Sequence, residues 1–331
     1  MIGHLANTAV RYSGLTTLLR RLRIDAPILC YHNVVPDELL GSGDPGLHLP
    51  LDRFASQMEW LRRHYRVAPL EELLALPNGK SWRGAAAITF DDGYVGAFRH
   101  ALPVLKALDL PATFFVLGNA PTTQAGFWWD DAEIVHQANP QRKARWLTTL
   151  AGDDARIRAE VGSTSNDRPT DLLPASWREI RSAAGYAGLS IGAHSVTHRA
   201  LPALDPAALA ADLVESRSTI ARELNIAPNL FAYPYGLWST AVHDVHESAV
   251  IFELGANRIF GGPWRSHAPT SATTAVQRGQ AGADRRAGTR AREPSPAFST
   301  LTVNWWTSWT RRTPRLETGS GCRRRCRASR G

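Results

Sequence analysis

Two adjacent carboxylates, Asp91 and Asp92, stand directly after an apolar run in the motif Thr-Phe-Asp-Asp-Gly-Tyr. Neighbouring carboxylates repel each other and lose solvation when buried, and a nearby cation would relieve both costs. One aspartate could then bind a metal ion while the other stays free as a base. A simple Asp-Asp-Gly turn that caps the next helix would explain the same residues.

Two histidines, His194 and His198, follow a second apolar run in the motif His-Ser-Val-Thr-His. Histidines four residues apart can face the same way on a helical turn and share one metal ion. Together with Asp92 they make a set of two imidazoles and one carboxylate. Three protein ligands with a position left open for water are typical of catalytic metal sites, so this pattern favours a metal site over two unrelated histidines.

Two weaker signals lie elsewhere in the chain. Tyr31-His32 ends the first apolar run, and Phe-Ala-Tyr-Pro-Tyr-Gly covers residues 231–236. In isolation, the second stretch indicates only a strand that ends in a rigid turn. All four motifs, however, stand at the ends of different predicted strands.

The elements that must position these residues alternate between strands and helices. Short apolar runs predict strands at Pro27–Asn33, Ala86–Phe90, Ala112–Leu117, Leu189–Ala193 and Leu230–Tyr233. Helical spacing predicts helices at Asp52–His64, Ala97–Leu108 and Pro206–Leu224. Residues 128–185 indicate a helical insertion or lid with Trp128, Trp129, Trp146 and Trp177 as anchors. Such alternation predicts an α/β protein with a parallel sheet, closed or open, and barrel enzymes place catalytic groups at strand C-terminal ends.

The four motifs together, in this order, resemble the polysaccharide deacetylase family (the NodB-homology domain, carbohydrate esterase type). The resemblance covers about residues 27–250, and its Tyr-His strand and Phe-Ala-Tyr-Pro-Tyr-Gly segment resemble the branch that acts on surface polysaccharides. It implies a distorted (β/α) barrel of the NodB-homology type. Only one helix, around Thr240–Ser248, is predicted after Gly236, so the barrel is expected to be incomplete at its C-terminal end.

The resemblance also assigns roles to single residues. Asp91 matches the general base, and the metal ligands are Asp92, His194 and His198. Zinc is the first expectation for such a set, and nickel, cobalt or manganese would also fit. The backbone N–H of Tyr235, next to Pro234, matches an oxyanion donor. The chain lacks the late Leu-x-His motif that supplies the general acid in most relatives. In the permuted branch of the family that role belongs to the histidine of the first strand, and the resemblance therefore implies it for His32.

Two positions depart from the family pattern. Ala232 stands where many relatives have an arginine that positions the catalytic aspartate. The Asp-Trp motif that orients the acid histidine has no clear match, and Trp129-Asp130 is the conceivable local substitute.

The implied activity is hydrolysis of carbon–nitrogen (non-peptide) bonds, with N-acetyl groups removed from a polysaccharide or oligosaccharide. The expected partner is therefore an acetylated glycan. Hydrolysis of a small non-sugar amide on the same scaffold is one alternative, and an inactive or truncated deacetylase-like protein is another. The oligomeric state is not predicted.

The composition of the sequence limits where in the cell the protein is expected. No run of about 18 apolar residues predicts a transmembrane segment. Residues 1–26 hold an amphipathic stretch, Met1–Arg23, without the apolar core of a signal peptide, so a cytoplasmic or membrane-peripheral location is expected. The three cysteines imply no disulfide framework, and Cys30 is expected to be a small buried hydrophobe.

Residues 251–331 differ from the rest of the chain. From residue 262 onward, fourteen arginines stand against three acids, a net charge of +11 that leaves −3 for the first 261 residues. Apart from the Trp305–Trp309 cluster, this segment has too little patterned apolar surface to predict a fold. It is either a basic low-order tail for anionic partners or a stretch that is out of frame, and the second reading is favoured. No specific nucleic-acid partner is predicted.

Overall fold

The computed structural model describes residues 26–75, 83–164, 168–242 and 244 of the 331-residue chain. Its main sheet has five strands, all paired in parallel: β1 (Ile28–Tyr31), β4 (Arg66–Val67), β5 (Ala85–Phe90), β6 (Ala112–Val116) and β7 (Leu189–Ala193). The order across the sheet is β1-β5-β6-β7, and β4 pairs with the start of β5. Two short strands, β2 (Asn33–Val35) and β3 (His48–Pro50), form a separate parallel pair.

Helices connect and cover these strands. The α-helices are α1 (Leu51–His64), α2 (Leu70–Ala75), α3 (Leu102–Ala107), α4 (Ala120–Thr123), α5 (Ala132–Gln137), α6 (Pro140–Thr148), α7 (Asp154–Val161), α8 (Trp177–Ala184) and α9 (Pro206–Leu224). A π-helical turn at Ala97–Ala101 leads into α3. Single 3₁₀ turns lie at Asp37–Leu39, Trp128–Asp130, Thr170–Leu172, Leu201–Ala203 and Pro234–Gly236.

The core lies between the sheet and these helices. Every residue of β5 and of β6 is buried, as expected for parallel strands that are covered on both faces. Helix α1 buries Phe54, Met58 and Leu61, which the helical spacing places on one face. The predicted α/β class with a parallel sheet is confirmed, and the described strands and helices form part of a distorted (β/α) barrel.

Most predicted elements occur with small shifts of their ends. The first predicted strand divides at His32 into β1 and β2. The predicted strand Leu230–Tyr233 is reduced to one bridge, between Phe231 and Ala193. The polar region 128–185 contains four helices, and its tryptophans Trp128, Trp129, Trp146 and Trp177 are all buried.

Several sequence predictions fall outside the described residues. These are the amphipathic stretch Met1–Arg23, the basic segment 251–331 and the C-terminal incompleteness of the barrel. The helix predicted around Thr240–Ser248 is described only at 240–242 and 244. Within the described part of the chain, no helix combines the length and the apolarity that crossing a bilayer requires.

Candidate metal centre and active site

The chemically active side chains gather where parallel strands end. Asp91 and Asp92 follow β5, His194 follows β7, and His32 follows β1. Tyr31 pairs with Phe90 in the β1–β5 ladder, so the next residues, His32 and Asp91, leave the sheet side by side. Parallel strands bring their carboxyl ends to one edge, and this edge therefore collects residues from three strands.

Asp92, His194 and His198 meet at a single point. Asp92 Oδ1 lies 3.3 Å from His194 Nε2 and 3.1 Å from His198 Nε2. The two Nε2 atoms are 3.1 Å apart. All three side chains are buried, and Asp92 is only 3% exposed. Three donor atoms that converge in a buried place make the arrangement expected of a cation site.

A hydrogen bond behind His194 shows that the residues fit a metal ion. His194 Nδ1 lies 2.9 Å from the carbonyl oxygen of Ala232. A carbonyl oxygen only accepts hydrogen bonds, so Nδ1 carries the ring proton and Nε2 presents its lone pair to Asp92 and His198. The lone pairs of His194 Nε2 and Asp92 Oδ1 then face each other, and Asp92 Oδ1 has no hydrogen-bond partner among the described residues.

The spacing of the three donors also suits a small cation. In a tetrahedral zinc site with zinc–nitrogen bonds of about 2.0–2.1 Å, ligand atoms lie about 3.3–3.4 Å apart. The separations of 3.1–3.3 Å in this cluster are close to that value. The chemistry of the donor set and its geometry both fit the predicted divalent ion.

The backbone around the cluster is strained in a consistent way. Asp92, Ser195, His198 and Tyr235 all have positive φ, between 58° and 69°, and they are half of the eight such non-glycine residues in the described chain. Left-handed backbone at a non-glycine residue costs about 1–3 kcal/mol and collects at functional sites. The prediction that the histidines share a helical turn is wrong, because the segment after β7 is an irregular loop.

Burial and mutual charge shift the pKa values of this cluster in different directions. Burial would raise the pKa of Asp92, but the electrostatic effect of the two adjacent histidines, that of His198 first, holds it well below its usual range. For His194, the lowering effect of burial is outweighed by the close carboxylate of Asp92 and the charge of Asp91, and its pKa is raised. Burial dominates at His198, whose pKa is lowered.

Asp91 belongs to a second group, with Cys30 and His32. Cys30 Sγ donates a hydrogen bond to Asp91 Oδ2 over 3.3 Å. The sulfur, a ring nitrogen of His32 and a carboxylate oxygen of Asp91 all lie within 4.8 Å of one another, and all three residues are half-buried. The expectation that Cys30 is only a small buried hydrophobe is wrong, because its thiol contacts a carboxylate.

Neither aspartate caps the following helix. The π-helical turn begins after Gly96, where no side chain makes a capping hydrogen bond. The alternative explanation of the Asp-Asp-Gly motif as a helix cap is therefore wrong, and both carboxylates are available to the site.

Tyr235 closes the site from the side of the Pro-Tyr-Gly turn. Its ring packs edge-on against His198, with ring centres 4.4 Å apart, and its hydroxyl accepts a hydrogen bond from Trp128 Nε1 over 3.2 Å. Pro234 begins the 3₁₀ turn, in which Tyr235 has φ 59°. The turn therefore presents Tyr235 beside a metal-ligand candidate.

A buried network of hydrogen bonds lies next to His198, and the sequence did not predict it. Trp129 packs against His198 with its ring tilted by 53° and the ring centres 4.6 Å apart. Its Nε1 donates a hydrogen bond to Tyr94 Oη over 2.7 Å. Tyr94 donates to Asp130 Oδ2 over 2.6 Å, and His48 Nε2 lies 2.8 Å from Asp130 Oδ1. Asp130, the conceivable substitute for an acid-orienting aspartate, thus pairs with His48, a histidine that no motif singled out.

Comparisons with known proteins agree on one family. The profile of the family described as polysaccharide deacetylase matches residues 78–251. YxkH of Bacillus subtilis (strain 168), named as a polysaccharide deacetylase, is 34% identical over 97 residues, which are 28% of this chain and 32% of that protein. The alignment thus spans about a third of the length of this relative.

Solved structures of deacetylases are among the proteins to which this chain is similar. The deacetylase PplD of Streptococcus pyogenes, in complex with acetate, is 20% identical with a TM-score of 0.44 over 68% of this chain and 80% of its own. IcaB from Ammonifex degensii is 21% identical with a TM-score of 0.46 over 69% and 81%. Because the family profile matches more than half of the residues, both aspartates and both histidines among them, the chain belongs to the polysaccharide deacetylase family.

Proposed function

We propose that this chain is a metal-dependent hydrolase that removes acetyl groups, N-acetyl groups in the first place, from a polysaccharide or oligosaccharide. Membership of the polysaccharide deacetylase family supports the acetylated glycan as substrate. The observation that carries the proposal is the convergence of Asp92, His194 and His198, in which the lone pairs of His194 Nε2 and Asp92 Oδ1 face each other.

Asp92, His194 and His198 would hold the ion, for which zinc is the first choice and nickel, cobalt or manganese are alternatives. When bound, a divalent ion of this kind polarises a carbonyl oxygen and lowers the pKa of a coordinated water. Ala232 supports the ligand set through its carbonyl oxygen, which orients the ring of His194.

Asp91 is the general base in this proposal. Asp91 directly precedes Asp92 in the chain, and it remains half-buried while Asp92 is buried. Because Asp91 is not one of the three metal-ligand candidates, it can take the proton of an attacking water while the ligand set stays intact. General-base catalysis of this type contributes about 10²–10⁴ in rate.

His32 is the general acid, and the Tyr235 N–H stabilises the oxyanion. His32 lies beside Asp91 at the end of β1, close enough for its charge to lower the pKa of Asp92 together with the larger effect of His198. It can deliver a proton to the departing amine. Tyr235 is held in the left-handed region by its turn, next to His198, and a backbone donor there is worth about 3–4 kcal/mol of barrier.

The experiment that tests the proposal compares wild type with Asp92→Asn. Metal content and acetate release from N-acetylated oligosaccharides should both fall to background in the variant. Asp205→Asn is the matched control, because Asp205 is the exposed cap of α9 and asparagine caps a helix equally well. Equal metal content and equal activity in wild type and Asp92→Asn would refute the proposal. Release from small non-sugar amides but not from glycans would refute the choice of substrate.

A further inference from the structure

We propose that Cys30, His32 and Asp91 form a second metal site, which binds a thiophilic divalent ion such as Zn²⁺ or Cd²⁺ and stops the reaction when it is filled. The site shares no ligand with Asp92, His194 and His198. The inhibitory part rests on the proposed function, whereas the binding part stands on the geometry of the three side chains.

The sheet places the three donors together. Cys30 pairs with Thr89 in the β1–β5 ladder, so the residues two positions further on, His32 and Asp91, lie side by side at the strand ends. His32 directly follows β1, and a nitrogen of its ring lies within 4.8 Å of the Cys30 sulfur. The 3.3 Å contact between Cys30 Sγ and Asp91 Oδ2 shows that the thiol reaches the carboxylate.

The distances need only a small adjustment. In a tetrahedral zinc site with a sulfur ligand at about 2.3 Å and nitrogen or oxygen at about 2.0–2.2 Å, donor atoms lie about 3.3–3.7 Å apart. The sulfur and the carboxylate already meet that requirement, and the His32 nitrogen lies within 4.8 Å of both. The His32 nitrogen would have to move by about 1.5 Å at most to reach the same spacing, which a rotation of its side chain could supply.

The donor types distinguish this site from the first one. A thiolate is a soft ligand that selects Zn²⁺ and Cd²⁺ over harder ions, and imidazole and carboxylate complete a common zinc set. All three residues are half-buried, so an ion can enter from solvent. On binding, the Cys30 sulfur exchanges its proton, which passes to solvent, for a sulfur–metal bond, and no group is oxidised or reduced.

Occupancy would disable both proton-transfer residues. The lone pair with which Asp91 would accept a proton would be committed to the ion, and a His32 nitrogen bound to the ion could not carry the proton that a general acid donates. An excess of zinc or cadmium, beyond the equivalent held by Asp92, His194 and His198, is therefore expected to inhibit acetate release.

The test uses the full chain with Cys322→Ser and Cys326→Ser, so that Cys30 is the one remaining thiol. The metal-free protein is titrated with Cd²⁺ while bound metal and thiolate-to-cadmium charge-transfer absorption are measured. The protein should bind two equivalents of Cd²⁺ and show one charge-transfer band, from the Cys30 thiolate. Adding Cys30→Ser should remove the band and one equivalent, and adding Asp92→Asn should remove one equivalent but keep the band.

Serine at position 30 is an informative replacement because it can still donate a hydrogen bond to Asp91 while it binds soft ions poorly. In His32→Ala, the Cd²⁺ ion that produces the charge-transfer band should bind at least tenfold more weakly. No thiolate band in the reference protein, or an unchanged band in His32→Ala, would overturn the site as a chelate of these residues.

Inhibition is measured separately, with each protein compared with its own rate before added metal. Cys30→Ser is expected to need at least tenfold more Cd²⁺ or Zn²⁺ for half-inhibition than the reference. Equal sensitivity would overturn the inhibitory role. If no variant releases acetate from any glycan, the proposed function fails, and the absorption titration still decides whether the second site exists.

Discussion

The Nδ1 atom of His194 lies 2.9 Å from the carbonyl oxygen of Ala232. The side chain at position 232 is small, but its main chain fixes which nitrogen of His194 faces Asp92. This hydrogen bond would orient His194 toward a bound ion whatever side chain stands at position 232.

Removal of the metal should lower the stability of the protein. The ligands come from two distant parts of the chain, and an ion that binds only the folded state adds about 2.7 kcal/mol when its free concentration is 100 times the Kd. Thermal unfolding with zinc and with a chelator should show a clear drop in Tm for wild type. Asp92→Asn should show no difference between the two conditions, and an equal drop in this variant would argue against Asp92 as a ligand.

Asp91→Asn should separate catalysis from metal binding. Asparagine keeps the shape of the side chain but cannot take a proton from water, so acetate release should fall about 10²–10⁴-fold. Metal content should stay at the wild-type level, because Asp91 is not among the three converging ligands. A rate within a few-fold of wild type would show that another group is the base.

Tyr235→Phe should retain most of the activity. The substitution keeps the backbone N–H and removes only the hydroxyl that accepts the Trp128 hydrogen bond, at a cost of about 1 kcal/mol in the free energy of unfolding. Steady-state kinetics and urea unfolding measure the two effects. A large loss of kcat with little loss of stability would mean that the hydroxyl itself acts on the substrate.

Tyr94→Phe should destabilise the protein markedly. Loss of this hydroxyl leaves the Trp129 N–H and one oxygen of Asp130 without their partner in a buried place, which costs about 1–3 kcal/mol for each group left unsatisfied. Urea unfolding measures the effect. The control is Tyr186→Phe, because the buried Tyr186 hydroxyl has no hydrogen-bond partner among the described residues, and this variant should be near neutral.

Asp212 should make stability depend on pH. Burial raises the pKa of this carboxyl from 3.8 to about 6. The folded state therefore holds the proton more tightly than the unfolded state, and the contribution to stability is full below about pH 4 and lost as the pH rises through about 6.

Asp212→Asn removes that ionisation and can still accept the hydrogen bond from the Val196 N–H. Relative to wild type, its free energy of unfolding should gain about 1–2 kcal/mol between pH 5 and pH 8. Urea unfolding of the metal-free proteins measures the gain, with Asp205→Asn as the exposed control. A difference that does not change with pH would mean that Asp212 keeps an ordinary pKa.

The sequence predicted the parts of the site that lie at strand ends. Asp92, His194 and His198 follow apolar runs long enough to identify β5 and β7, and parallel strands bring such ends together whatever the details. The local backbone was not predictable. Ser195 and His198 adopt left-handed conformations that their residue types disfavour, and only the surrounding structure selects them.

Contacts between residues that are far apart in the chain could not be predicted from the sequence either. Cys30 and Asp91 are 61 residues apart, and His48 and Asp130 are 82 apart. No local sequence pattern around Cys30 or around His48 indicates that either residue has a carboxylate partner. The signal available for Cys30 was its place two residues before His32 in the chain.

The parallel pairing of β1 with β5 has a consequence for how such a site can change over evolution. Main-chain hydrogen bonds fix that pairing, so the positions of residues 30, 32 and 91 are set without reference to their side chains. Substitutions at these three positions can therefore alter acidity, nucleophilicity or ion preference while the backbone stays where it is. A related protein could acquire a different reaction through very few mutations in its first strand.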